Sequence, residues 1–215
     1  MKLIGKIGIA LTVLCLATAC QGQQRAKNVQ KPALDYSKLD TATFAGGCFW
    51  CVEAAFEQIN GVEEAVSGYA GGKEENPSYS EVSNGRTGHA ETVEIYYDPE
   101  KINYPTLLRI FFTAHDPTQL NRQGPDIGRQ YRSVIFYHNE EQKQMAEEAI
   151  EEVNVSGEYS GDVVTELLPY RKFWPAEDYH QDYEKHNPND PYIKAVSRPK
   201  IDKVADKFSH LLKRD

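Results

Sequence analysis

The sequence predicts a mixed α/β domain, a ferredoxin-like sandwich built on split βαβ units with extended loops and an irregular C-terminal segment. Strand-like and helix-like periodicities alternate along residues 41–200, the pattern of a sheet packed against helices. That span has the size of one ordinary domain. It contains no internal repeat and no low-complexity block.

Each element follows from its own residues. Thr41–Ala45 is strand-like. Val52, Ala54, Ala55, Phe56 and Ile59 recur at helical spacing, so a helix is expected over Cys48–Ile59. Val62–Tyr69 reads as a strand running into Gly71-Gly72, and Tyr79–Ser83 as a helical turn. Thr92–Tyr97 alternates like a strand and is closed by Asp98-Pro99. Tyr104–Ala114 is a helix with Pro105 in its first turn, where a missing N–H is harmless. His115–Gln130, rich in Asp, Asn, Pro and Gly, is a long loop without periodicity, and such loops usually carry function. Arg132–Tyr137 is a strand. Asn139 caps a helix over Glu140–Val153 whose dense acidic face belongs in solvent. Val163–Leu168 is a further strand, and residues 201–215 are expected as a tail.

The N-terminus sets the expected address. Lys2 and Lys6 form a positive n-region, Ile7 to Leu16 an apolar h-region, and Ala17-Thr18-Ala19 a small-residue cleavage site before Cys20. The apolar run is too short to span a bilayer comfortably. A cysteine in that place resembles the lipobox of bacterial lipoproteins, with residues 1–19 as signal peptide and Cys20 as the lipidated first residue. Plain secretion after the same alanine is the alternative. Residues 20–40 are polar and read as the lipid anchor and a flexible tether to the domain. The expectation is an exported, membrane-anchored protein on the envelope or periplasmic side.

The formal charge is −8, and removal of 1–19 takes away two lysines and no acid. Such acidity argues against nucleic acid and anionic lipid surfaces as partners.

The most informative segment is Gly-Gly-Cys-Phe-Trp-Cys-Val-Glu, Gly46 to Glu53. It sets two thiols three positions apart at the start of the first helix. There, unpaired N–H groups and the helix dipole favour an anion, so the Cys48 thiol should ionise more readily than a free cysteine. Residues i and i+3 share a helix face, at a separation a disulfide can span with some fraying. The pair reads as redox chemistry, one attacking thiolate and one neighbour able to trap what forms on it. Cysteine as a small buried hydrophobe, or a zinc site completed by His180 and His186, are the competing readings. Cys15 leaves with the signal peptide and Cys20 carries lipid, so Cys48 and Cys51 are the free thiols of the mature chain.

Six ordered segments then resemble one family. Gly47-Cys48-Phe49-Trp50-Cys51 is similar to the active-site motif of peptide methionine sulfoxide reductase A, the enzyme for the S epimer of methionine sulfoxide. Asn76-Pro77-Ser78-Tyr79, Gly88-His89-Ala90-Glu91, His115 through Gly124, and Asp126 with Gln130 through Ser133 agree with it. Ala176 to Tyr183 resembles its C-terminal signature. The resemblance covers residues 41–190. It implies that Cys48 attacks the sulfoxide sulfur and that Glu91 supplies the proton. It further implies that Tyr79 and Tyr131 hydrogen-bond the oxygen, that Phe49 and Trp50 wall the S-methyl group, and that Asp126 orders the site. His89 is expected to orient backbone or substrate. No metal or bound cofactor is expected.

The product on the enzyme would be a Cys48 sulfenic acid, which condenses readily with a second thiol. Many members keep that thiol in a C-terminal tail, yet residues 52–215 contain no cysteine. The expected disulfide is therefore Cys48–Cys51, with direct attack by an external thiol as the alternative. Either route ends at a thioredoxin-like protein or dithiol. The expected partners are oxidised proteins or peptides bearing methionine sulfoxide, that reductant, and the membrane through the lipid. The protein is expected to act as a monomer. A membrane-tethered dithiol–disulfide exchange protein, a cysteine hydrolase using His89 or His180, and a non-catalytic lipoprotein remain as other classes.

Overall fold

The computed structural model describes residues 34–214. The expected signal peptide, Cys20 and most of the expected tether lie outside them. Among the described residues no helix is long and apolar enough to cross a membrane.

After a 3-10 turn at Tyr36–Lys38 the chain forms β1 (Asp40–Gly46), α1 (Phe49–Glu57), β2 (Val62–Ala70), α2 (Tyr79–Ser83) and β3 (Ala90–Tyr97). Then come α3 (Tyr104–Ala114), β4 (Arg122–Gln123), β5 (Asp126–Ile127), β6 (Ser133–Tyr137) and α4 (Glu140–Ser156). The chain finishes with β7 (Glu166–Pro169), β8 (Phe173–Pro175), α5 (Tyr183–His186) and α6 (Arg198–Lys207). Six strands make one sheet in the order β7-β6-β1-β3-β2-β8, while β4 and β5 pair separately.

The inner strands β6-β1-β3-β2 are antiparallel throughout. With α1 and α3 as connections they form the split βαβ arrangement that the sequence predicts. β7 joins β6 in parallel, and β8 adds antiparallel to β2.

Phe44 and Ala45, adjacent on β1, point to opposite faces and join different clusters. On the helical face Phe44, Phe56, Ile59, Ile95, Leu107, Phe111 and Val204 are wholly enclosed. The other face carries a smaller cluster of Ala45, Ala70, Ala90, Val134, Phe136 and Phe173. Truncating an enclosed phenylalanine such as Phe44 to alanine should cost about 3–5 kcal/mol.

Local signals set the helix ends. Asn103 and Asn139 accept backbone N–H bonds from Thr106 and Gln142, at 3.0 and 2.8 Å. Ser78 and Glu81 close a reciprocal capping box at α2.

Four expectations need correction. The alternation of Thr92–Tyr97 does not carry into its burial: the strand is there, as β3, but it is buried almost throughout, because strands flank it on both sides and both sheet faces are covered. The loop 115–130 contains the β4–β5 pair and a 3-10 turn at Arg129–Tyr131. The end of the expected tether is already docked, with Tyr36 edge-on to Tyr96 and its hydroxyl donating to Glu64. Residues 201–215 are not simply a tail: Ile201, Val204 and Phe208 bury the apolar side of α6, and Leu212 bridges Ile59.

Candidate active site

The site forms where β1 breaks into α1. Gly47 makes the break with φ at +96°, and a Cβ there would lie 2.6 Å from the Gln123 side chain. Gln123 bonds in both directions with the backbone of Asp116, so glycine lets the long loop close over the motif.

Cys48 is the N-cap of α1 rather than a residue of its first turn. Its carbonyl accepts from the N–H groups of Cys51 and Val52. Phe49 N donates to Glu91 Oε2 at 3.1 Å, which ties the carboxyl to the helix start beside Cys48. Glu91 reaches this place from β3, two residues past the Phe44–Val93 pair, at the sheet end where β1 stops.

A cavity of about 320 Å³ gathers Cys48, Phe49, Trp50, Tyr79, Glu91, Asp126 and Tyr131, every residue singled out for substrate and catalysis except Cys51. Tyr183, Asp190 and Tyr192 complete its lining. Tyr192 donates its hydroxyl to Asp126 Oδ2 at 2.6 Å and shares the cavity wall with Cys48. Trp50 stacks on Tyr183 with centroids 3.8 Å apart, and its Nε1–H donates to His180 Nδ1 at 3.2 Å. Phe49 stacks on Tyr79.

Cys51 lies behind this cavity. Its sulfur is 2.9 Å from Ser197 Oγ, and both it and Cys48 are free thiols.

The C-terminal segment straps the site together. Glu177 accepts from Tyr69 OH and Tyr79 N, both at 3.0 Å. The Gln181 side chain bonds Ser67 N and O like a short extra strand. Glu53, the last residue of the cysteine motif, is a structural anchor: it accepts from Ser67 Oγ and Asp182 N. Burial raises Glu53 to about 7. His89 is likewise a backbone clamp, accepting from Gly72 N and bonding Glu74 O.

Electrostatics correct one expectation. The helix start does not make Cys48 the readier acid. Burial, then the neighbouring Cys51 sulfur and Glu91, push the Cys48 thiol well above the ordinary range. Desolvation of a thiolate outweighs the N-terminal dipole. Cys51 moves the other way, to about 7, chiefly through its hydrogen bond with Cys48. Glu91 is raised to about 8, mainly by burial and against the Phe49 N–H bond, so near neutrality it is an acid with a proton to give. Burial also lowers His180, which with Nδ1 accepting from Trp50 is a neutral ring.

Tyr183 lies inside the C-terminal motif, but nothing in the sequence assigned it a role. Asp190, Tyr192 and Ser197 fall in a stretch without periodicity and were missed. Pro199, at the start of α6, was the available signal for a further helix there.

Comparison with known proteins fits this geometry. The family profile described as peptide methionine sulfoxide reductase matches residues 40–212. A peptide methionine sulfoxide reductase MsrA of Natronomonas pharaonis is 53% identical over 169 residues, covering 79% of this chain and 95% of that protein. Among solved structures, methionine sulfoxide reductase A of Corynebacterium diphtheriae has a TM-score of 0.67 at 38% identity, covering 70% of this chain and 76% of that one. Mxr1 of Saccharomyces cerevisiae in its reduced form has a TM-score of 0.67 at 34% identity, covering 72% and 88%.

Proposed function

We propose, for a chain that belongs to the peptide methionine sulfoxide reductase family, that the cavity at the start of α1 reduces the S epimer of methionine sulfoxide through a Cys48–Cys51 disulfide. The chain is an oxidoreductase of the A class. Family membership sets aside the dithiol exchange protein, the hydrolase and the non-catalytic lipoprotein.

The observation that carries the mechanism is the placement of an enclosed acid, Glu91, and an enclosed thiol, Cys48, at one helix start. Phe49 and Trp50 present apolar surface to the S-methyl group, and Tyr79 and Tyr131 offer hydroxyls to the sulfoxide oxygen. Glu91 protonates that oxygen, which makes the sulfur more electrophilic. The Cys48 sulfur attacks, the hydroxyl passes to it, and methionine leaves. Thiol and sulfoxide become sulfenic acid and thioether, with no net change in protons. Cys51 then displaces the hydroxyl of the sulfenic acid, giving a disulfide and water. A thioredoxin-like dithiol reduces the disulfide and restores both thiols.

The decisive test uses dithiothreitol and each epimer of a methionine sulfoxide peptide. The S epimer should be consumed and the R epimer left; turnover of both, or of R alone, would contradict the reading.

We further propose that the chain is a lipoprotein of the cell envelope, anchored through Cys20, and works there as a monomer. Ala17-Thr18-Ala19 before Cys20 supports the anchor. Cys20→Ser should release the protein from membranes or block its processing. Unchanged retention at mature size would refute the anchor.

A further inference from the structure

Cys51 is not in the cavity, so its reactivity is set by what packs behind it. That is the junction between a π-helical turn, Ile193–Ser197, and α6. Ser197 is wholly buried, and its Oγ is 2.9 Å from Cys51 Sγ. Lys200, three residues on and on the same face, buries its Nζ without any hydrogen-bond partner. An ammonium without a partner is costly to enclose, and it favours any anion formed beside it. Cys51 and the neutral ring of His115 are the groups on which that charge acts.

We propose that this helix junction activates the resolving thiol: Ser197 Oγ orients the Cys51 sulfur, and the Lys200 ammonium stabilises its thiolate as it attacks the Cys48 sulfenic acid. The inference rests on the Cys48–Cys51 reading above. In the step, a bond forms between the Cys51 and Cys48 sulfurs while the Cys48 S–O bond breaks. Cys51 is oxidised, the sulfenic sulfur is reduced, and the hydroxide leaves as water on gaining a proton from Glu91 or solvent. No outside oxidant is needed.

The other charged and titratable groups acting on Cys51 include Cys48, Glu91, Asp126 and Tyr192. Asp126 opposes the thiolate, and Lys200 is the cation among them. Lys200 and Ser197 are thus positioning residues for recycling. They are remote from the sulfoxide: neither lines the cavity.

The test is the rate of Cys48–Cys51 disulfide formation after one turnover, by acid quench and mass spectrometry on the full chain. Wild type, Lys200→Met, Lys200→Arg and Ser197→Ala would be followed from about pH 6 to about pH 9.5. For each unit by which the Cys51 midpoint rises, thiolate falls up to about tenfold and its nucleophilicity gains about threefold, so the step slows about threefold near neutrality. Lys200→Met should therefore form the disulfide several-fold more slowly at neutral pH and close the gap as pH rises, while Lys200→Arg stays near wild type. Ser197→Ala should lose less, at all pH values.

A wild-type rate and midpoint in Lys200→Met would overturn the proposal, as would a deficit independent of pH, which is what a merely loosened helix gives. Absence of any Cys48–Cys51 disulfide in wild type would overturn the resolving pair itself, and this role with it.

Discussion

Cys48 and Cys51 are three residues apart, yet the molecule treats them as different chemical groups. Cys48 faces the cavity among Phe49, Glu91 and Tyr192, under walls supplied by the split βαβ core and the long loop. Cys51 faces away, against Ser197 and the C-terminal helix junction. Burial drives the first thiol up, and hydrogen bonding from its neighbour draws the second down to about 7. One helical turn therefore separates a nucleophile revealed by its substrate from a nucleophile kept ready for the product. The cysteine motif supplies both sulfurs, but the elements on either side of α1 decide what each does.

The largest expected effect breaks the comparison on the Cys48 side. Cys48→Ser should abolish methionine formation with any reductant, since the hydroxyl cannot take the sulfoxide oxygen; residual turnover carried by Cys51 would erase the distinction. Glu91→Gln comes next. It keeps the shape and the Phe49 N–H bond but removes the proton, and general acid catalysis contributes about 10²–10⁴-fold. Its pH dependence follows from the sign of the shift. A carboxyl raised to about 8 is protonated below that pH and loses its proton above it, so the wild-type reductase step should fall on the alkaline side of about 8. The glutamine variant should lack that limb. Pre-steady-state methionine release across the pH range checks both.

On the other side, Cys51→Ser should leave the first methionine intact and reduce thioredoxin-driven turnover by at least about tenfold, because that donor reduces a disulfide. Dithiothreitol should restore much of the rate by attacking the sulfenic acid directly. Unchanged turnover with thioredoxin would make the two thiols independent. The smallest effect sharpens the boundary between the regions. Tyr192→Phe removes the bond to Asp126 in the cavity wall beside Cys48, and loss of such a bond costs about 0.5–1.5 kcal/mol. The unfolding free energy from denaturant titration should fall by that amount, with a several-fold change in the reductase step and little change in recycling.

Much of the fold was legible because its local signals agree with its tertiary role. Asn103, Pro105 and Asn139 mark helix starts, and strand-like runs alternate with helical spacing from β1 to β7. The C-terminal strap was not legible. Its β8 strand is three residues long, and its turns at Asp178–His180 and Ile193–Ser197 are 3-10 and π-helical, which leave no 3.6-residue pattern. The strap gains its structure from contacts far away in sequence, such as Gln181 with Ser67 and Asp182 with Glu53.

The site divides the same way. Cys48, Phe49, Trp50, Tyr79, Glu91, Asp126 and Tyr131 sit in recognisable motifs, and the fold brings all seven to one cavity. Tyr192, Ser197 and Lys200 belong to no motif, and only the folding of the strap against α1 shows them. The ionisation of Cys48 could not be read from its helix position either, because enclosure, invisible in a local sequence, outweighs the dipole.

The most direct test of two thiols with two tasks is one turnover with the S sulfoxide and no reductant. Methionine would be counted and the cysteines mapped by alkylation and mass spectrometry. The account predicts about one methionine per enzyme with an equal amount of Cys48–Cys51 disulfide in wild type, and about one methionine with a trappable Cys48 sulfenic acid in Cys51→Ser. Methionine released in wild type with Cys51 still a free thiol and Cys48 held as sulfenic acid would contradict it.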